Sequence, residues 1–174
     1  MTTPRNAYPD KPVLAYSKTT ISMEEVYKFL NELSNIPLEA KRTAAVMFRN
    51  ESGNGTKGIN NNYAGVQADG NRLSAEWDNR VAGTIVIEDS TGKTRRFVAF
   101  NTWQDSLLFT VKKVQARGVY IGATAKPYSN LKVDTLKNLS RAYYKEWVTG
   151  IGNSEPNADH NKTFEQLYKS VLNH

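Results

Sequence analysis

The sequence predicts a mostly helical α+β protein with one small β-hairpin, and three observations predict it. Apolar residues recur at helical spacing through most of the chain. One pair of β-rich runs flanks a glycine-containing turn. A hydrophobic fraction of 39% with 23% charged and 10% aromatic residues excludes a disordered tail, a collagen-like chain and a coiled coil. At 174 residues the chain accommodates one domain, or one domain with a short appendage. Roughly 70% of its extended surface can be buried at that size, enough for a real core.

Residues 1–20 read as an extended lead-in punctuated by Pro4, Pro9 and Pro12, followed by a single domain over 21–174. Ser22-Met23-Glu24-Glu25 has the form of a capping box, and the stripe Met23, Val26, Tyr27, Leu30 and Leu33 predicts a helix over about 23–35. Pro37 suits the first turn of a second, more apolar helix that carries Ala40, Ala44, Val46, Met47 and Phe48 and ends near Glu51. The Gly- and Asn-rich stretch from Ser52 to Asn62 is a loop. Residues 81–88 and 94–100 form the hairpin around Asp89-Ser90-Thr91-Gly92-Lys93. Helical stripes follow over about 103–117, capped by Asn101 or Thr102, over about 131–149, and over about 161–172.

The chemistry is bounded by what is scarce. With no cysteine there is no disulfide framework and no thiolate metal site. His160 and His174 are the only histidines, which argues against a Ser-His-Asp triad and a His-cluster metal site and leaves carboxylates as the acid/base groups. No metal or other cofactor is expected. The N-terminus lacks the apolar run of about 7–15 residues of a signal peptide, and nothing approaches a membrane span of about 20 apolar residues. The expectation is cytoplasmic synthesis without membrane insertion. A net charge of +6 points to an anionic partner: nucleic acid, a lipid surface or a bacterial wall. Its cations are dispersed, the densest group being Lys93, Arg95 and Arg96, so a solvated basic face is the plainer reading; without a nucleic-acid motif, no nucleic-acid partner is expected.

The informative stretch is Glu51-Ser52-Gly53-Asn54-Gly55, followed by Asn60-Asn61-Asn62-Tyr63-Ala64-Gly65-Val66-Gln67. A carboxylate ending an apolar helix can sit half in the core at the mouth of a groove. Burial and the negative helix end there favour its protonated, proton-donating form. Composition alone favours a surface Glu followed by a capping Gly and a flexible loop.

The pattern Glu-Ser-Gly-x-Gly, then Asn-Asn-x-x-Gly-Val, resembles the signature of the glucosaminidase family of peptidoglycan hydrolases. Lytic transglycosylases and goose-type lysozymes share its Glu-Ser start and a Gly-x-x-Gln-like element close to Gly65-Val66-Gln67. Further on, Thr84 to Glu88 before Gly92, then Phe97 to Asp105-Ser106, follow the order of that family's hairpin and the stretch after it, with a longer Thr-to-Glu gap. The similarity covers about residues 40–120 and continues more weakly to about 150. It implies a lysozyme-like fold and a glycosidase that cuts β-1,4 bonds between GlcNAc and MurNAc, or a lytic transglycosylase using the same acid. A wall-binding or virion structural module of that fold that hydrolyses nothing is the alternative from another class. By the resemblance, Glu51 is the general acid and Glu88 the second carboxylate, with Glu76 and Asp78 as rivals. Ser52 orients sugar or acid, or merely caps the helix. Asn62 and Tyr63 belong to the substrate groove, Gln67 bonds an N-acetyl group, and Tyr144, rather than the apolar-stripe Tyr143, lines the cleft. The implied partners are peptidoglycan glycan strands and, for a bacteriophage product delivered as a virion component or endolysin, other virion proteins.

Overall fold

A computed structural model describes residues 3–171, in the order β1 (Lys18–Thr19), α1 (Met23–Glu32), α2 (Leu38–Ser52), β2 (Gly58–Ile59), a 3-10 turn (Ala75–Arg80), β3 (Val81–Glu88) and β4 (Thr94–Phe100), then α3 (Trp103–Arg117), β5 (Thr124–Ala125), β6 (Leu131–Lys132), α4 (Leu136–Tyr143) and α5 (Ala158–Val171). The hairpin and α3 occupy the residues that the patterning predicts. Thr102 is the cap of α3: it exchanges hydrogen bonds with Asp105, whose N–H donates to the Thr102 hydroxyl at 3.2 Å and whose carboxylate accepts from the Thr102 N–H at 3.2 Å.

Three helices differ in their bounds from the sequence expectation. The helix expected from 131 begins at Leu136, because Thr135 caps it by accepting from the Asn138 N–H at 3.1 Å, while Leu131 and Lys132 pair with Thr124 and Ala125 as a short antiparallel sheet. Its end widens into a π-helical turn over Tyr144–Val148. The first helix stops at Glu32, short of the left-handed Asn35. The last begins at Ala158, with the Asn157 carboxamide accepting from the His160 N–H at 2.8 Å; Leu172, at its expected end, and His174 lie outside the described residues.

The chain forms two compact units. The first comprises the residues up to Met23 together with Glu51–Leu108, and is built on the β3–β4 hairpin, in register from Thr84↔Val98 to Glu88↔Thr94. The lead-in lies along its β3 edge: the Leu14 N–H donates to the Thr84 carbonyl at 2.7 Å and the Thr84 N–H to the Pro12 carbonyl at 3.0 Å. Gly83 permits this approach, since a Cβ there would stand 2.3 Å from the Pro12 oxygen. Along the β4 edge the Val98 N–H donates to Val66 and the Ala68 N–H to Arg96, each at 2.9 Å. Tyr8, Trp77, Ile85, Val98, Phe100 and Leu107 are buried in this unit.

The second unit comprises Glu24–Asn50 and the chain from Phe109 onward. Residues 43–48 of α2 are buried without interruption, so this segment is packed on every side while the polar ends of the helix reach the surface. α4 packs on α5, with Tyr143 against Phe164 at 5.3 Å between ring centroids. A buried carboxylate, Glu146, accepts from the Tyr128 and Ser129 N–H groups at 2.9 and 2.8 Å and holds that loop in place. Among the described residues no helix is long and apolar enough to cross a membrane.

Candidate active site

Glu51 stands in the last turn of α2, and Ser52 ends that helix. Ser52 is fully buried. Its hydroxyl accepts from the Gly55 N–H at 2.8 Å, and its carbonyl accepts from the N–H groups of Thr56 and Lys57, both at 3.0 Å. Those bonds wind Gly53, Asn54 and Gly55 through three successive left-handed conformations, φ 56°, 59° and 82°, which two glycines and an asparagine adopt at little cost. These bonds are those of a cap that shapes the loop.

The second motif turns back through Asn60 and Asn61, also left-handed at φ 48° and 62°. Asn62 is buried, and its amide is fully used. Nδ2 donates to the Val66 and Val98 carbonyls, each at 2.9 Å, while Oδ1 accepts from the Val66 N–H at 3.1 Å and the Ala64 N–H at 3.2 Å. Two carbonyls facing one end and two N–H groups facing the other fix the amide's orientation. Asn62 thereby fastens the loop to β4. Tyr63 follows it, its N–H donating to the Ser106 hydroxyl at 2.9 Å. Its buried ring is drawn over Gly58, where a Cβ would lie 2.4 Å from the ring. Burial pushes the Tyr63 phenol up, and a hydrogen bond with the Thr19 hydroxyl pulls it partly back.

These pieces line a small open cleft of about 120 Å³ in the first unit. Glu51 and Lys57 supply its charges, Asn62, Tyr63 and Gly65 come from the second motif, and Ile59, Ile87 and Phe97 supply apolar walls. Glu51 is exposed here, not half in the core as expected, because the buried run of α2 ends at Phe48 and in the last turn Asn50 and Glu51 face outward while Ser52 turns inward. Glu51 and Lys57 give the cleft opposite charges beside aromatic and aliphatic side chains. That combination suits a polyhydroxylated ring with apolar faces.

The remaining residues singled out by sequence lie elsewhere. Alternation along β3 directs Ile87 to the cleft and its neighbour Glu88 to the opposite face. Glu88 is exposed, with its carboxylate near Gly92 at the hairpin turn. Gln67 is exposed, and its carbonyl accepts from the Arg95 guanidinium at 2.6 Å. Of the rivals to Glu88, Asp78 pairs with Arg72 at 3.1 Å, and the Glu76 carboxylate accepts from the Ser74 hydroxyl at 3.3 Å. Tyr144 belongs to the second unit, where its ring meets His160 edge-on at 5.0 Å. Sequence reasoning missed Lys57, Ile59, Ile87 and Phe97. Only Lys57 carried a usable signal, as the single cation between the two motifs.

No protein-family model and no curated protein matches the chain. Among solved structures it is similar to the glycoside hydrolase domain of FlgJ from Salmonella typhimurium, at 11% identity and TM-score 0.50, over 88% of this chain and 90% of that one. A peptidoglycan hydrolase mutant from Sphingomonas sp. A1 is similar at 12% identity and TM-score 0.38, over 87% of this chain and 93% of that one. The fold is lysozyme-like. It is the mostly helical α+β arrangement with a small hairpin that the sequence predicts.

Proposed function

We propose that this protein is a peptidoglycan hydrolase that breaks β-1,4 glycosidic bonds between GlcNAc and MurNAc, with Glu51 as general acid. The observation that carries the reading is the placement of Glu51 at the end of α2, on a cleft that it shares with Asn62 and Tyr63 of the second motif. The lysozyme-like fold and the glycosidase named among its structural neighbours support it, and the +6 charge favours encounter with an anionic wall. A glycan seated in the cleft covers the Glu51 carboxyl and removes the water that competes for its proton. The acid then protonates the glycosidic oxygen as the C–O bond breaks and positive charge spreads over the anomeric carbon and ring oxygen.

The cation is quenched in one of two ways. Glu88 activates water or stabilises the charge after the hairpin tip has moved; alternatively, the substrate's own acetamide oxygen or 6-hydroxyl attacks. Alternation in β3, which turns Glu88 away from the face that Ile87 gives to the cleft, favours the second route.

The test compares wild type with Glu51→Gln on purified peptidoglycan, with mass spectrometry of the released fragments. Wild type is expected to clear the wall and the folded variant to lose at least about 100-fold in rate, the scale of a removed general acid. Reducing ends or 1,6-anhydro ends then identify the reaction. If both proteins bind the wall and neither releases fragments, the protein is a binding module and the enzymatic reading is wrong.

A further inference from the structure

The extended lead-in does more than precede the fold: it is tied to both loops of the cleft. The Ile21 N–H donates to the Gly55 carbonyl at 2.9 Å, at a contact so close that a Cβ on Gly55 would stand 2.1 Å from the Ile21 oxygen. Ser17 and Asn60 exchange two bonds of 2.8 Å, Ser17 N–H to the Asn60 carboxamide and Asn60 N–H to the Ser17 carbonyl, and the Asn60 amide reaches on to Ala15 at 3.0 Å. Between these anchors, β1 pairs with β2, Thr19 lying opposite Gly58.

Thr19 is the point where this strand meets the cleft. Its hydroxyl accepts from the Asn61 N–H at 3.2 Å and hydrogen-bonds the Tyr63 phenol. A Cβ on Gly58 would lie 2.6 Å from that hydroxyl and 2.4 Å from the Tyr63 ring, so glycine is what lets strand, hydroxyl and ring converge. We infer that Thr19 is a positioning residue for sugar recognition, which locks the buried Tyr63 ring behind the cleft wall and so sets the loop 61–63 against which a pyranose packs. The inference rests on the peptidoglycan reading above and names the element that sets its substrate subsite. With its ring buried and its phenol engaged by Thr19, Tyr63 acts by holding the cleft wall in place, and the lead-in becomes a working part of the cleft.

The test uses the full chain as Thr19→Val, which keeps the shape and removes the hydroxyl, and Thr19→Ser, which keeps the hydroxyl. Each is assayed for kcat and KM on soluble glycan fragments, and for binding of a chitin tetrasaccharide by calorimetry. Of the two bonds the Thr19 hydroxyl makes, the one to the Tyr63 phenol, at about 1 kcal/mol, corresponds to roughly a fivefold weakening. Thr19→Val is therefore expected to raise KM and weaken binding about three- to tenfold with kcat within about twofold, and Thr19→Ser to stay near wild type. Tyr63→Phe cuts the same bond from its other end and should reproduce the effect if Thr19→Val folds poorly. A folded Thr19→Val that binds and turns over like wild type overturns the inference, as does a Thr19→Ser as weak as Thr19→Val. The two readings fail differently. Binding that depends on Thr19 without any hydrolysis overturns the enzymatic reading alone, hydrolysis indifferent to Thr19 overturns this inference alone, and a wild type that neither binds nor hydrolyses overturns both.

Discussion

Asn62 illustrates how a residue at a candidate site can serve the fold and the cleft together. Its side chain satisfies two carbonyls and two N–H groups that would otherwise be stranded near the cleft floor, where an unmet polar group costs about 1–3 kcal/mol. Asn62→Asp preserves the shape and the acceptor end, but it sets a carboxylate oxygen against the Val66 and Val98 carbonyls. The expected cost is roughly 2–4 kcal/mol at pH 7, measured by denaturant unfolding. The Val66 and Val98 carbonyls and burial disfavour the new carboxylate and raise its folded pKa above the ordinary carboxylate value, so the deficit relative to wild type should narrow as pH falls from neutral toward about 4, where the protonated carboxyl donates one of the two bonds. An Asn62→Asp protein as stable as wild type at neutral pH would mean that the loop does not depend on this amide. Because the bonds named here already use every donor and acceptor of the amide, Asn62 serves the cleft by holding its loop and leaves no side-chain group for a glycan.

At the scale of elements, the hairpin is where function and strand geometry meet. A strand offers alternate residues to each face, and the cleft takes Ile87 and Phe97 from β3 and β4. Glu88 reaches the cleft only if the tip around Gly92 twists. Glu88→Gln is accordingly expected to retain activity within about tenfold of wild type, far above Glu51→Gln. A loss as large as that of Glu51→Gln would assign the second carboxylate to Glu88 and require the hairpin to close during turnover. The same geometry explains what could be read from sequence. The hairpin and α3 were legible to the residue because their signals are local: alternation, the Asp89-to-Gly92 turn, and the Thr102 cap. The start of α4 was not, since Leu131 continues the helical stripe while the competing pairing with Ala125 and the cap at Thr135 override it. In the site, Glu51, Asn62 and Tyr63 were legible through motifs; Ile87, Phe97 and Thr19 were not, because pairings distant in sequence, Gln67 with Phe97 of the hairpin and Thr19 with Gly58, bring them there.

For the whole molecule, buried and paired ionisable groups set how stability responds to acid. His160 is half-buried, its Nδ1 side bonded to the Ser140 carbonyl and its buried Nε2 without a hydrogen-bond partner; it stacks on Tyr143 at 5.9 Å. Burial pushes the imidazole below its ordinary value, outweighing the Ser140 bond, which pulls the other way. The folded state thus prefers neutral His160, and the stability it contributes is complete above about pH 6.5 and lost as pH falls through the lowered folded value. The carboxylates respond at lower pH. Hydrogen bonds from Arg141 and Lys145 hold Glu155 down to about 2, and the Arg95 and Arg72 guanidiniums lower Asp69 and Asp10. Their contribution is present above about pH 4 and disappears as pH falls toward about 2. Acid destabilisation should therefore come in two stages, one beginning near pH 6.5 and one below about pH 4, with the melting temperature falling roughly 2–4 °C for each kcal/mol lost. His160→Phe keeps an aromatic ring beside Tyr143 and removes the titration, so it should flatten the first stage and leave the second. A melting temperature that falls between pH 7 and 5 as steeply in His160→Phe as in wild type would assign the first stage to other groups.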